Sequence, residues 1–228
     1  LMSVQSEIRD GIAVLILDNP PVNGLGFALR RGLVEALETA QQDPTVRAVV
    51  ITGGGRSFSG GADIREFNTP QAEREPTLPT VIRAVEASSK PVVMAINGIA
   101  LGGGLELALG GHYRVAVVDA VVGLPEVKLG LLPGAGGTQR LPRAVGLEAA
   151  LNMIVSGTPI AAAKLASTRL FDRVVESDAL AAAIALANEV AGSKSPLPRV
   201  RDWPVQHPNA EGFLLFSRTA VAAASANY

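Results

Sequence analysis

The chain of 228 residues contains no cysteine. This excludes a disulfide framework, a thiolate nucleophile and a cysteine-based metal site, and it fits a reducing compartment. Histidine is nearly as scarce. His112 and His207 are the only two and lie in unrelated contexts, so a histidine-dependent triad or multi-histidine metal site has little to build from. His112 reads as a helix-end residue. Lys and Arg total 20 against 21 Asp and Glu, a net charge of −1, so no broad basic field exists to attract nucleic acid. Apolar runs such as KPVVMAINGIAL are broken by Asn and Gly well short of the roughly 18 residues a membrane span needs, so no membrane partner is expected. No basic n-region precedes an apolar h-region, and the expected location is cytoplasmic. Phosphate motifs are missing as well. There is no G-x-x-x-x-G-K-[ST], and the sixth place of a G-x-G-x-x-G is Leu107 counted from Gly102 and Gln139 counted from Gly134. Arg140 and Lys128 could touch a phosphate, although basic residues on solvated faces usually do not.

What is present is apolar material and glycine. At 48% hydrophobic residues the chain can bury a sizeable core, and its length allows one or two domains. Residues 2–9 and 12–18 read as strands around Asp10-Gly11, a hairpin pair. FALRRGLVEALETAQQ from Phe27 has helical apolar spacing, and DPTVRAVVITG follows as a β-branched strand. The unit recurs in VVMAINGIAL with LELALGG and in YRVAVVD with VVGLPEVK. NTPQAEREPTLPT, residues 68–80, reads as a mobile loop, and VIRAVEASS as a short helix. Beyond Arg143 the pattern is helical in GLEAALNMIVSG, IAAAKLAST and DALAAAIALANEVAG, with a strand-like RLFDRVV between the last two.

Two stretches carry candidate chemistry. In AINGIALGGGLELALGG, residues 95–111, a strand pattern meets Gly102, Gly103 and Gly104 and then a helical pattern. The first amides of a helix lack intrahelical partners and form its positive end, and glycine lets another group approach them closely. Glu106 is the lone charge there. It is either a dipole-stabilised surface residue or an acid/base group in a cavity, and Leu105 and Leu107 favour the cavity. In VVGLPEVKLGLLPGAGGTQRLPR a second lone carboxylate, Glu126, follows Pro125, and a second glycine cluster (Gly134, Gly136, Gly137) opens another apparent helix. Two lone carboxylates beside amide-rich turns suggest paired acid/base work. Upstream, SFSGGADI offers small residues at Ser59, Gly60, Gly61 and Ala62, which by itself reads as a tight loop; Asp63 reads as the cap of a helix starting near Ile64.

Together IALGGGLELAL, GLPEVKLGLLPGAGGTQRLPR and SFSGGADI resemble the crotonase (enoyl-CoA hydratase/isomerase) superfamily, over about residues 11–190. NPPVNGL and PLPRVRDWPV resemble more particularly the N-terminal hydratase region of bifunctional enoyl-CoA hydratase/3-hydroxyacyl-CoA dehydrogenases. The resemblance implies an α/β fold with a ββα spiral core and C-terminal helices. It implies that Glu106 and Glu126 are catalytic, that the amides of Ala62 and Gly103 form an oxyanion hole, and that Gly24, Gly60, Gly61, Asp63, Ile64, Gly102, Pro125 and Gly134 contact the acyl-CoA. The implied reaction is reversible syn hydration of a 2-trans-enoyl-CoA in fatty-acid β-oxidation. No metal or other cofactor is needed, because coenzyme A is part of the substrate. The alternatives are Δ3,Δ2-enoyl-CoA isomerisation, which can run on one carboxylate at Glu126, and a non-catalytic acyl-CoA-binding module. Acyl-CoA hydrolysing and dehalogenating relatives usually replace one of the two glutamates.

The expected organisation is a crotonase-like core over 1–192, a proline-rich linker over 193–210 and a terminal helix over 211–228, with a dehydrogenase region beyond it on the same chain. Phe213, Leu214, Leu215, Phe216 and Val221 make that helix too apolar for a free tail. A segment of about 13 residues before it could cover about 40 Å. It is therefore expected to fold back over its own core, giving a monomer or weak oligomer.

Overall fold

The computed structural model describes residues 3–205, 207 and 209–225. β1 (Val4–Arg9) and β2 (Ile12–Leu17) form the expected antiparallel hairpin, with Asp10 and Gly11 both at positive φ (49° and 80°), the combination a type I′ turn demands. α1 (Phe27–Gln42) follows, and its apolar stripe of Leu29, Leu33, Leu37 and Ala40 is buried. After it come β3 (Ala48–Gly53) and β4 (Ser57–Ser59), a 3-10 turn at Ile64–Glu66, and the short α2 (Pro70–Glu73) and α3 (Leu78–Glu86). β5 (Val92–Ile96), β6 (Ile99–Leu101) and α4 (Gly103–Gly110) form the next unit. β7 (Tyr113–Val117) and β8 (Val121–Gly123) lead into a 3-10 turn at Glu126–Leu129, then α5 (Gly137–Val145) and α6 (Leu147–Ser156). β9 (Ile160–Ala161), β10 (Arg173–Val175), α7 (Ala179–Val190) and α8 (Ala210–Ser225) complete the order.

Successive units split their strands between two sheets. The larger sheet runs β1-β2-β3-β5-β7-β10 and the smaller β4-β6-β8-β9, so the pairs β3/β4, β5/β6 and β7/β8 each give their first strand to the larger sheet and their second to the smaller. This is the ββα spiral. Within the larger sheet every pairing after the hairpin is parallel. Such strands are covered on both faces and need continuous apolar sequence, which AVVITG in β3 and VVMAI in β5 supply; both are buried throughout. β1, with VQSEIR and only Val4 buried, has the polar character of an edge.

Three expectations change. Residues 68–80 are not a simple loop, since they carry α2 and the start of α3. The buried Arg30 guanidinium holds them by donating to the carbonyls of Gln71 and Pro76 at 2.8 Å each. IAAAKLAST forms the β9 pairing and a single 3-10 turn (Ala162–Leu165) instead of an α-helix, because its β9 residues complete the smaller sheet against β8. The segment after α7 is extended but docked. Val200 is buried, and the Trp203 ring lies under Arg169, 4.0 Å away, with the fully buried Arg114 on it at 5.7 Å.

Arg114 itself donates to the carbonyls of Leu170 and Gly111 at 2.6 Å each, tying β7 to the chain before β10. Burial pulls its pKa down to about 10 against the attraction of Asp172. On α8, Leu214 and Leu215 are 57% and 67% exposed. Phe216 and Val221 lie outside the described side chains. Among the described residues no helix is long and apolar enough to cross a membrane.

Candidate active site

The two glycine-bearing turns singled out in the sequence line one cavity of about 310 Å³. α4 begins at the rim. Gly102 has φ 52° and its N–H is used by the Gly123 carbonyl at 2.9 Å, which joins the turn to β8. The next amide, that of Gly103, is the first of the helix and makes no hydrogen bond within the described chain; neither does the amide of Ala62. A β-carbon on Gly103 would lie 3.4 Å from the Ala62 nitrogen and 2.7 Å from Leu78 Cδ2, so the two amides stand side by side with Leu78 against them.

Glu106 lies one turn further along α4 and is 2% exposed. Its Oε1 accepts hydrogen bonds from the N–H groups of Ala135 and Gly137, both at 2.8 Å, whereas no donor among the described residues reaches its Oε2. Burial pushes this carboxyl above the usual carboxylate range, opposed by the two amides and by the positive charge of Arg140. Glu126 opens the 3-10 turn after β8 and faces the same cavity. Its Oε1 lies 3.2 Å from where a Gly102 β-carbon would be, and its Oε2 is buried without any partner. Burial and the nearby charge of Glu106 both push its pKa up. The rest of the lining is largely apolar: Phe67, Leu78, Leu129, Leu131, Leu132 and Ala135, with Leu129 and Leu132 more than half exposed at the mouth.

Of the residues expected at the site, Gly60, Gly61, Ala62, Ile64, Gly102, Gly103, Glu106, Pro125, Glu126 and Gly134 all line this cavity. Gly24 and Asp63 do not. Asp63 caps the turn at Ile64–Glu66, accepting from the Arg65 N–H at 3.1 Å and pairing with the Arg65 guanidinium at 2.6 Å, which holds its carboxyl below the usual range. Gly24 lies behind it, close to the Asp63 backbone. Arg140 is not a solvated phosphate contact either. It is buried and forks onto Glu86, while Lys128 is exposed. His112 is buried at the end of α4, with Nδ1 accepting the Val92 N–H at 3.0 Å, a packing role consistent with a helix-end residue. Sequence reasoning missed Ala135 and Gly137 as the donors that hold Glu106. The signal was the second glycine cluster, whose amides were noticed without a recipient.

Comparison with known proteins places this geometry. The sequence pattern described as Enoyl-CoA hydratase/isomerase matches residues 7–200. The peroxisomal bifunctional enzyme of Homo sapiens is 45% identical over 211 residues, covering 92% of this chain and 29% of that protein. The peroxisomal fatty acid beta-oxidation multifunctional protein MFP2 of Arabidopsis thaliana is 44% identical over 195 residues, covering 82% of this chain and 27% of that one. The chain thus spans less than a third of the length of these relatives. Among solved structures, an enoyl-CoA hydratase from Bacillus anthracis superposes with a TM-score of 0.77 at 32% identity, covering 84% of this chain and 77% of its own. With the ββα spiral, the paired carboxylates and these likenesses in agreement, the chain belongs to the enoyl-CoA hydratase/isomerase family of enzymes.

Proposed function

We propose that this chain catalyses reversible syn addition of water across the C2–C3 double bond of a 2-trans-enoyl-CoA, giving the 3-hydroxyacyl-CoA, as a step of fatty-acid β-oxidation. The observation that carries this is the pair Glu106 and Glu126 on one largely apolar cavity beside the unused amides of Ala62 and Gly103. The Glu106 carboxylate takes a proton from water as the water oxygen bonds to C3. The Glu126 carboxylic acid gives its proton to C2, so one H2O is added and the two carboxyls reset by exchange with solvent. The amides of Ala62 and Gly103 receive the negative charge that develops on the thioester oxygen; loss of one such donor typically costs about 10²- to 10³-fold in rate. Gly60, Gly61, Ile64, Gly102, Pro125 and Gly134 would bound the bound thioester, with the acyl chain against the leucines at the mouth. The thioester is the electron sink, so the reading calls on no further cofactor.

The test is hydration of crotonyl-CoA, followed by loss of the enoyl-thioester absorbance. Turnover supports the reading. A folded protein that binds the substrate without consuming it would instead be an acyl-CoA-binding module. Isomerisation of a 3-enoyl-CoA is a second reading, favoured by the unpartnered Glu126 Oε2, which can move a proton between C4 and C2 unaided.

A dehydrogenase region on the same chain, the division at 193 and 211, and a monomeric or weakly associating state are also proposals. Native mass, and the coding sequence beyond Tyr228, test them. The cytoplasmic location stands as a proposal too, against relatives whose names place them in peroxisomes; cell fractionation decides it.

A further inference from the structure

Behind the cavity the clamp on Glu106 is itself clamped. Arg140, on α5, is 9% exposed, and its Nε and Nη2 donate to Glu86 Oε1 and Oε2 at 2.8 and 3.0 Å; Glu86, on α3, is 2% exposed. The remaining terminal nitrogen, Nη1, donates to the Ala135 carbonyl at 3.1 Å. That carbonyl lies in the chain between the two amides, Ala135 and Gly137, that hold Glu106 Oε1. Gly136, between them, has φ 99°, and a β-carbon there would lie 2.0 Å from Arg140 Nη1, so the turn is shaped around the guanidinium. A buried ion pair is commonly no more stabilising than apolar residues of the same volume, so fold stability alone gives little reason for this one.

We propose that Arg140, held by Glu86, is a positioning residue for Glu106: it fixes the turn from Ala135 to Gly137 so that both amides grip Oε1 and Oε2 is left to the reacting water. The proposal rests on the hydratase reading for its kinetic consequence, though not for its structural one. Two charged groups act on Glu106, Arg140 from α5 and Glu126 from the turn after β8, and Arg140 is paired in turn with Glu86 from α3, which Arg201 also approaches at 3.6 Å. The other charges of α3 and α5 are engaged locally, Arg83 on Thr80 and Arg143 on the Gln139 carbonyl, and β4 and β6 contribute no titratable side chain. Arg140 is the cation that acts on Glu106, and it favours the ionised form.

The experiment compares the full chain with the double variant Glu86→Leu/Arg140→Met, which removes both buried charges at similar volume, and with Arg140→Lys, which keeps the charge and loses the fork. Readouts are kcat and KM for crotonyl-CoA, the pH dependence of kcat, and titration of Glu106 by NMR of glutamate carboxyl carbons, assigned by its absence in Glu106→Gln. The double variant should stay folded and lose about 10²-fold in kcat with KM little changed, as for a small misplacement of a reacting group. Its Glu106 midpoint and the acid limb of kcat should both move up. Arg140→Lys should lose kcat with a smaller change of midpoint. An unmoved kcat and midpoint in a folded double variant overturns the proposal, and if that variant does not fold, unchanged kcat in Arg140→Lys does so. If the native chain fails to hydrate crotonyl-CoA, the functional reading falls while the NMR midpoint still judges the link between Arg140 and Glu106.

Discussion

Glu106 and Glu126 come from similar sequence and end in opposite circumstances. Each is the only carboxylate in an apolar stretch beside a turn, and both face the same cavity. Glu106 is nearly inaccessible, with one oxygen gripped by two backbone amides and backed by Arg140. Glu126 is only partly buried, and no group among the described residues bonds its Oε2. Neighbours therefore oppose burial at Glu106 by favouring its charge, whereas at Glu126 burial and the charge of Glu106 act in the same direction. That asymmetry suits a base and an acid working side by side: one carboxyl oriented by neighbours that favour its anion against burial, the other with no such neighbour and open to substrate.

The sharpest break of this asymmetry is Glu106→Gln, which keeps shape and removes the base. Hydration should fall by up to about 10⁴-fold while KM hardly moves, as steady-state kinetics would show. Glu126→Gln should cost hydration about 10²-fold or more and reduce isomerisation of a 3-enoyl-CoA with it. Full isomerase turnover in that variant would remove Glu126 from the proton path.

The pH profile of kcat sharpens the comparison without mutation. The base must be ionised and the acid protonated, so a bell is expected, with its acid limb above the ordinary carboxylate range and its two apparent pKa values belonging to the pair.

Stability carries the same signature at smaller size. A carboxyl whose folded pKa lies above its unfolded value keeps protons in the native state that the unfolded chain has released. Stability therefore falls as pH rises through that window, and the penalty is complete above the folded pKa. Glu126→Gln should raise Tm at neutral pH and leave it unchanged below about pH 4, measured by thermal melts at several pH values. The smallest effect should come from Arg201→Ala. This side chain is 47% exposed and 3.6 Å from Glu86, and in a screened position its loss should change Tm by a degree or two and kcat by less than about twofold.

Much of this arrangement could be read along the chain. Local interactions determined the Asp10-Gly11 hairpin, the helix at Phe27–Gln42 and the buried parallel strands, because turn dihedrals, helical spacing and continuous apolar runs are properties of a few adjacent residues. The two glutamates were visible for the same reason: a lone carboxylate among apolar residues beside a turn is a local anomaly. Local pattern was less informative where a segment depends on what it packs against. The stretch 68–80 looked like a polar loop because the Arg30 hydrogen bonds that organise it come from another helix. Prolines and polar residues made 193–210 look like a tether, although Trp203 is covered by Arg114 and Arg169 from elsewhere in the chain.

The sequence by itself thus determined the hairpin, most of the strands and longer helices and the identity of the two candidate acids, written in spacing over a few residues, while the spiral came from the family resemblance. Only the tertiary structure decided which atoms hold which. It gave the amides of Ala135 and Gly137 to Glu106 across 29 and 31 residues, turned Asp63 away to cap its own turn, and buried Arg140 against Glu86 at a separation of 54. Hydrogen-bond partners at such separations follow from the packing of whole elements, and no local periodicity encodes them.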